Sequence, residues 1–160
     1  MLLFGHIGIT LGSFYIISRL TKHDFDYRFV LIGSLLPDIL DKLVGRVALP
    51  LGSGRLFGHT LLFVLVLALI SLWKRKALTL SLASALHLAE DEMWEQPKIL
   101  LWPIFGNFPT SDPIPLYQYI LTILKEYTSS LSYTFISEVV GLVIILAIGS
   151  KKILTKFYRS

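Results

Sequence analysis

Five apolar segments, each close to the length that crosses a bilayer, constrain this chain more than any other feature of its sequence. They run roughly over 2–19, 27–44, 56–73, 77–94 and 132–150, against the ~20 apolar residues a transmembrane helix needs. LFGHTLLFVLVLALISLW (56–73) and the segment beginning SYTFISEVVGLVIILAIG at Ser132 are the clearest. Charged residues make up only 16% of the chain, too few to cover the surface of a soluble domain, where about 25% is usual. The sequence predicts an all-α, polytopic transmembrane bundle of about five helices, forming a single membrane domain over 1–160. The N-terminal stretch has no basic region ahead of its apolar run, which reads as a retained helix rather than a signal peptide.

Two segments are not plain spans. Pro37 interrupts the second and is expected to kink or break it, restarting a turn at PDILDK. The fourth is amphipathic near its end, where Glu90, Asp91, Glu92 and Glu95 follow Leu88. Its polar side must face protein or a wet cavity. Residues 95–131 hold five of the seven prolines, which argues against continuous helix before about Pro115. With Trp94, Trp102, Tyr117 and Tyr119, this stretch suits a re-entrant or interfacial segment capping the bundle.

The bases set orientation. Arg19, Lys22, Arg28, Lys74, Arg75, Lys76, Lys151, Lys152, Lys156 and Arg159 fall on one side of an alternating topology, and the positive-inside rule makes that side cytoplasmic. The N-terminus is then outside, and 151–160 form a basic cytoplasmic tail. Net charge of +4 reflects this placement rather than a nucleic-acid partner.

Threaded through that topology, His6, Asp38, Asp41, His59, His87 and Asp91 all fall near the extracytoplasmic face, although none of them was used to set the orientation. Only His23 lies in the opposite loop. His87 and Asp91 are i and i+4, and Asp38 and Asp41 are i and i+3, so each pair shares a helix face. Cysteine is absent, leaving imidazole and carboxylate as ligands, a set that suits zinc, with manganese as the alternative. His6, Asp38, His59, His87 and Asp91 are the predicted ligands. Asp41 and Glu90 are candidates for a general base or a water-orienting group, and Glu90 and Trp94 for supporting or substrate contacts. Each has a plainer reading. A lone intramembrane His can serve as an inter-helix hydrogen-bond partner, and Asp41 can pair with Lys42 or Arg46. The set of five resists that reading, because uncompensated carboxylates at membrane depth cost roughly 2.5 kcal/mol or more each.

These residues also carry a resemblance. His6, GSLLPDILD (33–41), FGHTLLF (57–63), HLAED (87–91) and LLWPIFG (100–106) follow, in order, the pattern of the YdjM-like family of membrane-bound metal-dependent hydrolases. The match covers roughly 1–110. The chain departs from the family in having no His in its P-D segment and a single His at the third helix. That implies one metal position, or two, rather than a larger cluster. A fainter likeness, in the order His, Asp, His, His-x-x-x-Asp, is to zinc-dependent phospholipase C.

The resemblance implies a hydrolase. A metal with an open position lowers the pKa of its water toward ~7. A site at headgroup depth favours a membrane lipid or lipid-linked ester, with Lys42, Arg46, Arg55 or Lys98 available to a phosphate. No G-x-S-x-G element or phosphate-binding Gly loop offers another chemistry. Two further readings stay open: transport of a divalent cation or protons, which Glu138 in the fifth segment would serve, and a metal that is only a structural staple.

Overall fold

The computed structural model describes residues 1–48, 53–109, 112, 115–128 and 132–157, and the described residues form helices and connecting turns with no strand. The helices are α1 (Leu3–Thr21), α2 (Tyr27–Lys42), α3 (Leu61–Ile70), α4 (Lys76–Glu90), α5 (Pro97–Leu100), α6 (Leu116–Thr128) and α7 (Tyr133–Phe157). Leu43–Ala48 continue α2 as a π-helical turn.

Of these, α1 and α7 are long and apolar enough to cross a membrane. Only 17% of the α7 window is buried, so it is not the core helix of a soluble protein. The second, third and fourth predicted spans appear as shorter helices of 16, 10 and 15 residues. Ten residues reach only about 15 Å. The third is short because Phe57–His59 form a 3-10 turn and Thr60 leaves helical geometry to accept the Phe63 N–H as the cap of α3. Leu61, Leu65 and Leu69 then stand exposed along one stripe of α3, as do Ile136, Val139, Val140 and Val143 on α7. Apolar surface this extensive is unusual in water and natural against lipid.

Helix α7 packs most closely on α1. A Cβ on Gly8 would collide with the backbone of Gly141, and one on Gly141 with the carbonyl of Phe4. Bare glycines let two backbones approach in this way where lipid supplies no driving force of its own. Glu138 on α7 then caps α1. Its carboxylate accepts from the N–H groups of Leu2, Phe4 and Gly5 at 3.1, 2.9 and 2.8 Å, donors the first turn of a helix cannot satisfy itself.

Of the kink or break expected at Pro37, the break does not occur, and α2 runs through it. Proline has no N–H for the Gly33 carbonyl, and Ser84 on α4 donates its hydroxyl there instead, at 3.1 Å. The freed turn is thus satisfied by the neighbouring helix. Ala83 packs on Gly33 in the same crossing.

One end of the bundle is basic. Asp26 caps α2 by accepting the Arg28 N–H, and the Arg28 guanidinium beside it holds its carboxyl below the usual carboxylate range. Lys76 from the start of α4 reaches the same carboxylate at 4.0 Å and lies over the Phe29 ring. His6, Asp38, His59, His87 and Asp91 lie at the opposite end. Gly141→Val should destabilise the protein by about 1–3 kcal/mol through overpacking. Thermal unfolding in detergent reads this, and a value within error of the parent would show that the α1–α7 crossing is not close.

Candidate metal centre

The five predicted ligands converge. His6 sits one turn into α1, Asp38 on the last turns of α2, His59 at the end of the 3-10 turn, and His87 and Asp91 at the end of α4. The His6 and His87 rings stack with centroids 4.0 Å apart, and His59 meets His87 edge-on at 5.2 Å. All three imidazoles are fully buried.

Each imidazole is held by its Nδ1. The His87 Nδ1–H donates to the Ser34 carbonyl at 2.7 Å, in the turn that Pro37 disturbs. The His59 Nδ1–H donates to Asp41 at 2.7 Å, and that of His6 to Glu90 at 2.8 Å. A carbonyl or ionised carboxylate can only accept, so each Nδ1 carries a proton, and in the neutral imidazole Nε2 is then the nitrogen with the lone pair. The three Nε2 atoms point inward. Tying the outer nitrogen to a carboxylate or carbonyl is how metal-binding histidines are oriented.

The inward atoms are close together. His59 Nε2 lies 3.3 Å from His87 Nε2, 3.6 Å from Asp38 Oδ1 and 3.7 Å from Asp91 Oδ2. His6 Nε2 lies 3.2 Å from Asp91 Oδ1 without the alignment of a hydrogen bond. Among the described residues it is the buried side-chain polar atom that lacks a hydrogen-bond partner. Two groups could hold an ion, one of His6, His87 and Asp91 and one of Asp38, His59 and His87. The donor set fits a divalent metal: bonds of ~2.0–2.1 Å in tetrahedral geometry separate two ligand nitrogens by about 3.3 Å, the spacing of His59 and His87. His87 belongs to both groups, and one Nε2 lone pair binds one ion. A second ion would have to rely on His6 and Asp91.

Asp41 and Glu90 stand on the outer nitrogens of His59 and His6, which for Glu90 is the supporting contact expected of it. Asp41 is wholly buried behind His59 and also accepts from the N–H groups of Leu56, Gly58 and His59, at 2.5, 2.7 and 3.1 Å. Gly58 permits this, since a Cβ there would stand 2.7 Å from the Pro37 carbonyl. Glu90 takes His6 on one oxygen and the Thr10 hydroxyl, at 3.0 Å, on the other. Lys42 takes Asp38 rather than Asp41, and the expected alternative of an Arg46 partner lies outside the described residues. Trp94 is exposed. His23 stays in the opposite loop against Phe25.

The sequence reading missed Thr10, although its i+4 spacing from His6 places it on the same face, and it missed the Ser34 carbonyl, which no side-chain pattern could reveal. The ligand carboxylates also hold cations: Lys42 lies 2.7 Å from Asp38, and Arg55 lies 2.8 Å from Asp91. Both line a cavity of about 360 Å³ together with Asp38, Asp91, Ile99, Tyr119 and Ile123. Lys98 is exposed and does not line this cavity.

Asp41→Asn should lower metal affinity about 10–100-fold, as losses of supporting groups do, because the amide meets donors with donors. Metal titration against an Asp24→Asn surface control measures this. Equal affinity in the two variants would remove Asp41 from the centre.

Against known proteins, the family model described as YdjM inner membrane protein matches residues 1–157. No curated protein and no solved structure matches the chain, so the fainter likeness to zinc-dependent phospholipase C has no support here.

Proposed function

The chain belongs to the YdjM inner membrane protein family, and from that premise we propose that it is a membrane-embedded, metal-dependent hydrolase of a membrane-associated ester. A phosphoester of a lipid or lipid-linked compound is the finer reading. The observation that carries the proposal is the set of inward Nε2 and carboxylate atoms beside an open cavity, with Asp38 and Asp91 in its wall. An enclosed four-ligand shell would have favoured a structural staple.

His59, His87 and Asp38 would hold the ion, with Asp91 and His6 beside it, and zinc or manganese suits these donors. The chemistry a bound ion supplies is Lewis acidity and a water made acidic enough to deprotonate near neutral pH. The protein's own part is preorganisation. Asp41 and Glu90 fix the His59 and His6 rings, and the Ser34 carbonyl fixes His87, so no donor has to reorient during a turnover. Lys42 and Arg55 bring positive charge to the cavity, which supports the phosphoester reading, and Ile99, Tyr119 and Ile123 offer an apolar wall to a hydrocarbon substituent. Glu138, the residue that favoured transport, is engaged in capping α1, and this weakens the transport reading.

In the topology proposed, five segments cross the inner membrane, completed by α2 with its π turn, 56–73 and α4. The N-terminus and the site face outward and the C-terminus lies in the cytoplasm.

Purified protein should carry about one zinc per chain, as one shared His87 lone pair allows, and His59→Ala or Asp91→Asn should lose it with the helix content retained. Elemental analysis without stoichiometric metal would count against the centre. Phosphoester hydrolysis should appear on adding zinc or manganese and vanish in Asp38→Asn, whereas cation flux in liposomes without hydrolysis would favour transport. Reporters fused at 74–76 should read cytoplasmic, and a periplasmic signal there would invert the topology.

A further inference from the structure

We propose that Lys42 and Arg55 are the substrate-binding pair of this cavity, and that the substrate presents a phosphate monoester in its dianionic form. The inference rests on the metal-centre reading above and adds the charge and identity of the group that the site accepts.

Charge carries the argument. Among the described groups that line the cavity, the charged ones are Asp38, Asp91, Lys42, Arg55 and the Met1 ammonium, two acids and three cations. Lys42 holds Asp38 at 2.7 Å, while Arg55 and the Met1 ammonium share Asp91 at 2.8 and 2.7 Å. The oxygens involved belong to the ligand carboxylates: Asp91 Oδ2, which holds Arg55, is also the oxygen 3.7 Å from His59 Nε2. A divalent cation taken by Asp38 and Asp91 therefore competes with the ammonium and the guanidinium for the same carboxylates. It leaves the cavity wall with three positive charges in excess.

Both side chains are free to turn toward a guest. Lys42 is 40% and Arg55 35% exposed. Their backbones are fixed: Lys42 ends α2, and Arg55 sits in a turn closed by the Ser53 hydroxyl, just before Leu56, whose N–H is held by Asp41. A guest with two negative charges offsets most of this excess. A phosphate monoester, with its second pKa near ~6, carries them at neutral pH. A phosphodiester carries one and a carboxylic ester none. Arginine adds the fork that matches two phosphate oxygens.

The test is calorimetric titration of the full chain in detergent, first with zinc and then with inorganic phosphate. The zinc-loaded parent should bind phosphate, and Lys42→Gln and Arg55→Gln should each weaken that binding by about tenfold or more, as loss of a charged hydrogen bond does. Zinc binding by the same variants should be unchanged or tighter, because a competitor for Asp38 or Asp91 is gone. Arg55→Lys should fall between parent and Arg55→Gln. A purely structural role would lower zinc and phosphate binding together, and that result overturns the proposal, as does phosphate binding that ignores both substitutions. Dimethyl phosphate bound as tightly as inorganic phosphate would overturn the dianion. Dodecyl phosphate compared with glycerol phosphate tells an amphiphilic guest from a soluble one, and binding of either supports the pair. Failure of the parent to take up zinc overturns the metal centre itself, whereas zinc uptake without phosphate binding overturns only this inference.

Discussion

A carboxylate with no access to solvent must be matched by donors, and Asp41 is the one on which the rest of this structure depends. Its two oxygens gather three backbone N–H groups from Leu56, Gly58 and His59 and the ring N–H of His59. An isolated buried carboxylate would be costly enough to protonate or to unfold its surroundings. Four donors remove that cost and, in doing so, pin the 3-10 turn to α2. The orientation of His59 and the placement of Arg55 at the cavity follow from the same anchor.

The other imidazoles are fixed by equivalent means with different chemistry. Pro37 leaves the Gly33 carbonyl without an intrahelical donor, and Ser84 donates to it, while His87 donates to the neighbouring Ser34 carbonyl. A proline that costs stability in an isolated helix thus becomes the docking point of α4 on α2. On α1, the Glu90 carboxylate bridges His6 and Thr10, and the glycine crossing with α7 holds α1 in place while Glu138 caps its first turn. Helix packing and site geometry are here one set of contacts: the groups that satisfy strained or unfinished helix ends are the groups that aim the ligands.

Much of this was legible in the sequence. The grouping of His6, Asp38, His59, His87 and Asp91 followed from depth along the apolar segments, because residues at one level of antiparallel helices become neighbours. The helix start after Pro115 was equally plain from proline placement. Span lengths were less legible. A run such as 56–73 is apolar throughout, yet the demand of Asp41 for backbone donors at Leu56, Gly58 and His59 takes its first residues out of the α-helix. The places of Asp41 and Glu90 were less legible for a related reason: spacing shows that a carboxylate shares a face with a ligand, but not whether its oxygens point into the cavity or away from it.

By itself, the sequence determined the solvent this chain prefers and the stock of metal donors it owns, since both depend on residue type and on periodicity along one helix. The tertiary structure alone decided which nitrogen of each imidazole faces inward, which carboxylates bind and which support, and which two bases share the cavity. These depend on partners 18 to 84 positions away for the imidazoles. A hydrogen bond made across that distance has no periodicity for a linear pattern to reveal.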